Sequence, residues 1–111
     1  PLAASLAAGA PVPVDYRASF VDGAGGKALL PAMWEYAREL VAEAVAVPLD
    51  EVADAVRLLA TRGRVVAEGA GALALAAAVA RRNAGRAVVI VSGGNIGPER
   101  LAAILAGWPQ G

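Results

Sequence analysis

Apolar positions along the chain recur at two spacings, and the alternation between them predicts the elements. Leu2 and Leu6 stand one helical turn apart with Gly9 as a natural stop, so a short helix is expected there, the tail of one that began before Pro1. Pro11-Val12-Pro13-Val14 must be extended, because proline fixes its own φ and pushes the residue before it out of the α region. From Asp15 to Lys27 no period is sustained and Gly23, Gly25 and Gly26 mark loops. That is long for a structureless loop and points to function or to a missing partner surface. Pro31 suits the first turn of a helix in which Trp34, Ala37, Leu40 and Val41 share a face, with Glu35 and Arg38 opposite.

Ala44 to Val47 reads as a short strand ended by Pro48. Asp50 and Glu51 open an amphipathic helix in which Val52, Ala55, Val56 and Leu59 repeat at helical spacing until Gly63. Arg64 to Ala67 is a second strand, Gly69 to Arg82 a helix, Asn83-Ala84-Gly85 a turn, and Ala87 to Val91 a continuous apolar strand of the parallel-sheet kind. Pro98 opens a last helix carrying Leu101, Ile104 and Leu105 before Gly107. Strands alternating with helices predict an α/β fold, three-layered around a small parallel sheet.

Composition then removes function classes. The 111 residues suit one domain at most, and ten Lys+Arg balance ten Asp+Glu, so no long-range field recruits nucleic acid or an anionic membrane. The apolar run from Gly69 to Ala80 is about twelve residues, short of the roughly twenty that span a bilayer. Pro1 to Leu6 lacks the basic start of a signal peptide, and the absence of cysteine fits a cytoplasmic protein. Histidine is absent too, so proton transfer must use Glu, Asp, Lys, Tyr or a bound cofactor.

Four glycine motifs compete for the chemistry. Gly26-Lys27 is not a P-loop: Val21 stands at its first glycine and Ala28 at its magnesium-binding hydroxyl. Gly23-Ala24-Gly25-Gly26-Lys27-Ala28 fits the loose dinucleotide pattern, but no strand precedes it and a flexible loop explains it. Gly69-Ala70-Gly71-Ala72-Leu73-Ala74 follows a strand and opens a helix, yet Ser92 occupies the place of the acidic residue that would meet a ribose. Close helix-sheet packing explains those glycines as well. Ser92-Gly93-Gly94-Asn95 is either a strand-to-helix turn or a polar pocket floor at the carboxyl end of a strand, where open α/β sheets bind ligands.

The segments Val65-Val66-Ala67-Glu68-Gly69-Ala70-Gly71 and Ala87-Val88-Val89-Ile90-Val91-Ser92-Gly93-Gly94-Asn95 together closely resemble the C-terminal portion of fold-type II pyridoxal-phosphate enzymes. Within that group the likeness is to the threonine (serine) dehydratases and serine racemases. Ser19-Phe20-Val21-Asp22-Gly23 resembles their Asp-Gly loop, and Leu30-Pro31-Ala32-Met33-Trp34 and Val47-Pro48-Leu49-Asp50-Glu51 extend the likeness over nearly the whole chain.

The resemblance implies pyridoxal 5'-phosphate as cofactor of the complete enzyme and assigns roles residue by residue. Ser92 would hydrogen-bond the pyridine nitrogen as an uncharged partner, which keeps the electron sink mild. That suits loss of the α-proton and β-hydroxyl of a small hydroxy amino acid, ending in a 2-oxo acid and ammonia. Gly23 would lie against one face of the ring, Glu68 at the pocket edge, and Gly93, Gly94 and Asn95 would shape the floor behind Ser92. Glu68 also reads simply as a solvated carboxylate beside a helix N-terminus.

Departures from the family pattern limit what this chain does by itself. The Schiff-base lysine and the glycine-rich phosphate loop belong to an N-terminal half that the 111 residues do not match, and Lys27, the only lysine, lacks the Ser-Phe-Lys type of context. The family's divalent-metal site needs an acidic residue before Pro1 and another where Pro1 stands, so no metal ligands are expected. The regulatory domain of biosynthetic threonine dehydratases is not expected after Gly111 either. Residues 1–111 are therefore expected to be the C-terminal part of a catalytic domain, inert alone and partnered by the missing half in a homo-oligomer. Serine racemase or another fold-type II enzyme is the alternative within the family. A non-catalytic assembly module and a dinucleotide-binding piece are the alternatives outside it.

Overall fold

Helix boundaries in the computed structural model, which describes residues 1–81 and 85–108, follow from proline and glycine at the places where the chain must change conformation. The helices are α1 (Leu2–Ala8), α2 (Pro31–Leu40), α3 (Leu49–Leu58), α4 (Gly69–Ala80) and α5 (Pro98–Leu105). A 3-10 turn spans Asp22–Ala24, and α3 runs on into a π turn over Leu59–Gly63. The chain gathers into two compact units. One comprises Pro1–Ser19 and Ala24–Ala46; the other comprises Phe20–Gly23 and the described residues from Val47 onward.

In the first unit α1 ends as predicted at Gly9, whose φ of 70° is the left-handed conformation that L side chains resist. Buried Ser5 accepts a hydrogen bond from the Val12 N–H at 3.1 Å, which ties the extended Pro11–Val14 stretch to α1. Val14 N–H donates to the Lys27 carbonyl at 2.8 Å, joining the two ends of the glycine-bearing segment. On α2, Trp34 is buried and Glu35 pairs with Arg38 at 2.9 Å, but Leu40, expected on the buried face, is 78% exposed. The helix ends there, so that position has no following turn to carry the apolar stripe onward.

The second unit holds a continuous core. Val52, Ala53, Ala55 and Val56 of α3 meet Ala72 and Ala76 of α4 and Ile104 of α5, with Val21 alongside and Phe20, Leu73, Ile96 and Leu101 packed against them. Small residues on α4 let α3 approach closely. The predicted stop at Gly63 is shifted by one: Gly63 closes the π turn, and Arg64 takes the left-handed conformation, with φ of 57°.

The predicted strands at 44–47, 64–67 and 87–91 do not appear; no strand is present among the described residues, and so no parallel sheet. The segments 64–68 and 87–97 do avoid helix, and Glu68 N–H donates to the Gly93 carbonyl at 3.1 Å between them. A parallel strand needs a neighbour to take up its amide groups and helices to cover both faces. Here Val88 is 95% exposed and Ile90 74%, so the apolar run expected to be buried is largely uncovered, with Val89 only partly buried. The predicted end of the fourth helix at Arg82 and the turn at Asn83-Ala84 lie outside the described residues. No described helix is long and apolar enough to cross a membrane.

Candidate functional site

Three of the six predicted site residues come together where α4 begins. Glu68 occupies the N-cap position in an extended conformation, yet its side chain makes no capping hydrogen bond. The half-buried carboxylate is directed instead between two glycines. A methyl group added to Gly93 would run into Glu68 Oε1, and one added to Gly23 would come within 3.9 Å of Oε2 and 3.1 Å of the Ala70 methyl. Gly23 reaches this place on the Asp22–Ala24 turn, where its N–H donates to Asp22 Oδ1 at 2.8 Å. Gly93 thus leaves room for the Glu68 carboxylate, while the tighter neighbour of Gly23 is Ala70.

The other three residues continue from Gly93. Gly94 backs onto the Val66 carbonyl, where a Cβ would sit at 2.6 Å from the oxygen, and its own carbonyl accepts from Ile96 N–H at 2.9 Å. Ser92, Gly94 and Asn95 are exposed here. Ser92 immediately precedes Gly93 in the chain. No described contact ties Asn95 to Glu68.

The glycines of the α4 motif serve a different purpose. Gly69 and Gly71 are buried: a Cβ on Gly69 would meet the Phe20 carbonyl oxygen at 2.7 Å, and one on Gly71 would collide with the Gly93 carbonyl. These are contacts to fixed backbone, which cannot move aside as the end of a long side chain can. Their missing side chains are used for protein packing, the plainer of the two sequence readings.

Further residues, assigned no site role from the sequence, pack beside the Asp22–Ala24 turn and the end of α5. Phe20, just before the Asp22–Ala24 turn, meets Trp108 edge-on with ring centroids 5.4 Å apart. Arg57 Nη1 donates to the Ile104 carbonyl at 2.8 Å and to the Trp108 carbonyl at 3.3 Å, while its other terminal nitrogen pairs with Asp54. An arginine there satisfies carbonyls left open at the end of α5 and places positive charge at a helix C-terminus. A separate groove of about 360 Å³ between α3 and α4, lined by Glu51, Asp54, Leu58 and Val79 among others, contains none of the predicted residues. No cluster of three or more His, Cys, Asp or Glu side chains able to hold a metal occurs among the described residues.

Positions 1–94 match the family model described as pyridoxal-phosphate dependent enzyme. An L-threonine ammonia-lyase of Thermotoga maritima is 36% identical over 104 residues, covering 92% of this chain and 26% of that protein. The catabolic L-threonine dehydratase of Escherichia coli K12 is 41% identical over 76 residues, covering 64% of this chain and 23% of that protein. A crystal structure of the T.th. threonine deaminase superposes with a TM-score of 0.75 at 30% identity, covering 86% of this chain and 35% of that one. The chain thus spans about a quarter of the length of the curated relatives it matches.

Proposed function

The chain belongs to the family of pyridoxal-phosphate dependent enzymes, and on that premise we propose that it is the C-terminal part of a threonine or serine dehydratase. Its residues complete a cofactor site whose lysine and phosphate loop lie in the remaining length of such an enzyme. The observation that carries this reading is the convergence of Gly23, Glu68 and Gly93, with Ser92 next in the chain.

The residues suit the group. A flat aromatic ring needs surfaces free of side chains, and Gly23 and Gly94 are exposed although each has one side packed on protein, Gly23 on Ala70 and Gly94 on the Val66 carbonyl. Ser92 offers a neutral hydroxyl, and Glu68 a carboxylate at the edge. Bound pyridoxal phosphate supplies an electron sink for charge developing at the α-carbon of an amino acid.

This chain's part is to place and tune that sink. The Ser92 hydroxyl would hydrogen-bond the ring nitrogen as a neutral partner without enforcing a full positive charge on it, which suits α-proton loss coupled to departure of the β-hydroxyl. Gly23 would bound one face of the ring, with the Glu68 carboxylate lying between it and Gly93. Gly93, Gly94 and Asn95 form the floor. Catalysis by such a site depends on groups held in place before the reaction begins, so this chain alone is inert.

The sheet belongs to the same proposal. Val88 and Ile90, exposed here, are positions that neighbouring strands and helices of the longer enzyme cover, and the 87–91 segment becomes a parallel strand in that setting. The working enzyme is a cytoplasmic homo-oligomer.

Incubating the complete enzyme and its cofactor with L-threonine and with L-serine tests the reaction. Equimolar 2-oxo acid and ammonia are expected. Appearance of the D-amino acid without ammonia would replace elimination by racemisation.

A further inference from the structure

We propose that Trp108 is a positioning residue for the Asp22–Gly23 turn, acting through Phe20; this rests on the reading of Gly23 as a residue that faces the cofactor. The end of α5 is built to deliver the indole. Gly107 turns the chain with a φ of 107°, and Trp108 N–H then donates to the Ala103 carbonyl at 2.9 Å, the reversal that commonly closes a helix. One arginine stacks on the indole and another fixes the Trp108 backbone. The Arg100 guanidinium carbon lies 4.7 Å from the ring centroid, and Arg57 Nη1 donates to the Trp108 carbonyl at 3.3 Å.

Held in this way, the indole meets the Phe20 ring at an interplanar angle of 67°, an edge-to-face pair. Phe20 is in turn pressed onto Gly69, where a methyl group would lie 2.7 Å from its carbonyl oxygen and 2.9 Å from its Cδ2. The start of the turn is therefore clamped between Trp108 and the first residue of α4. Its other end, Gly23, rests on Glu68 and Ala70, which flank that same residue. Removing the indole frees the Phe20 ring on one side and leaves the turn with its Gly23 contacts alone.

The test uses the complete enzyme carrying Trp108→Ala, Trp108→Phe or Gly23→Ala, titrated with pyridoxal phosphate while the visible circular dichroism of the bound cofactor is followed beside thermal melting. Trp108→Ala is expected to weaken cofactor binding about fivefold and to diminish the dichroism, and the effect disappears when Phe20→Ala is already present, because the two residues act as one coupled pair. Trp108→Phe, which keeps a ring edge, restores both signals. If Trp108→Ala does not fold, Trp108→Leu takes its place with the same expectation. A lowered melting temperature with unchanged cofactor affinity and dichroism, beside a Gly23→Ala variant that does lose affinity, overturns the positioning role and leaves the site reading intact. A Gly23→Ala variant of unchanged affinity overturns the site reading and the role of Trp108 together.

Discussion

Glu68 and Gly93 are joined twice: the Glu68 N–H donates to the Gly93 carbonyl at 3.1 Å, and the Glu68 carboxylate occupies the space where a Gly93 side chain would stand. Two segments distant in sequence are thereby fixed in one register, and Gly71, buried beneath, admits the Gly93 carbonyl to α4. Any side chain at Gly93 displaces the carboxylate, whereas one at Gly71 meets backbone that has no freedom to yield.

The two substitutions are accordingly expected to differ in kind. Gly71→Ala costs about 1–3 kcal/mol of stability through overpacking, seen as a lowered urea midpoint. Gly93→Ala pushes aside the end of a flexible glutamate, so stability changes less while cofactor affinity of the complete enzyme falls. Fluorescence titration with pyridoxal phosphate separates the two.

Ile104 is fully buried among α3, α4 and α5. Ile104→Ala removes about 2–5 kcal/mol, and Ile104→Val about 1 kcal/mol, as transfer energy and a residual cavity add. Chemical denaturation of both variants checks the ratio.

Arg57 is partly covered, donates to the Ile104 and Trp108 carbonyls and pairs with Asp54, whereas the Arg38–Glu35 pair is exposed on both sides. Arg57→Met is expected to destabilise by about 1–3 kcal/mol, because helix-end carbonyls lose a charged donor. Arg38→Ala changes stability by less than about 0.5 kcal/mol. Equal effects of the two would show that the α5 contact contributes nothing beyond a surface pair.

Arg64 is the one described non-glycine residue with positive φ. Arg64→Gly relieves a left-handed conformation that costs an L residue about 1–2 kcal/mol, offset in part by the greater freedom of glycine in the unfolded chain. A melting temperature equal to or slightly above the parent is expected, and Arg64→Val lowers it.

How much of this was legible in the sequence follows from the range of each interaction. Local signals served well: Pro31 and Pro98 open helices, Gly9 closes one, and Val52, Ala55 and Val56 face the core. The Gly63 stop failed by one residue because the π turn lets the helix overrun and passes the left-handed position to Arg64. The apolar character of 87–91 was read correctly, but a strand is defined by its neighbours and none is present among the described residues. The family resemblance implied Gly23, Glu68 and Gly93 as site residues one at a time. Their convergence, and the support from Phe20 and Trp108, depends on contacts between segments far apart in the chain, which periodicity does not encode.

The most direct measurement of the central claim is formation of 2-oxobutanoate from L-threonine by the complete enzyme and its Ser92→Ala variant, both saturated with pyridoxal phosphate and checked for loading by absorbance. Loss of the hydroxyl partner of the ring nitrogen predicts a fall in kcat of about tenfold with the cofactor still bound. Turnover equal to the parent at full loading would contradict it, and would remove Ser92, and with it the floor at Gly93-Gly94-Asn95, from the cofactor site.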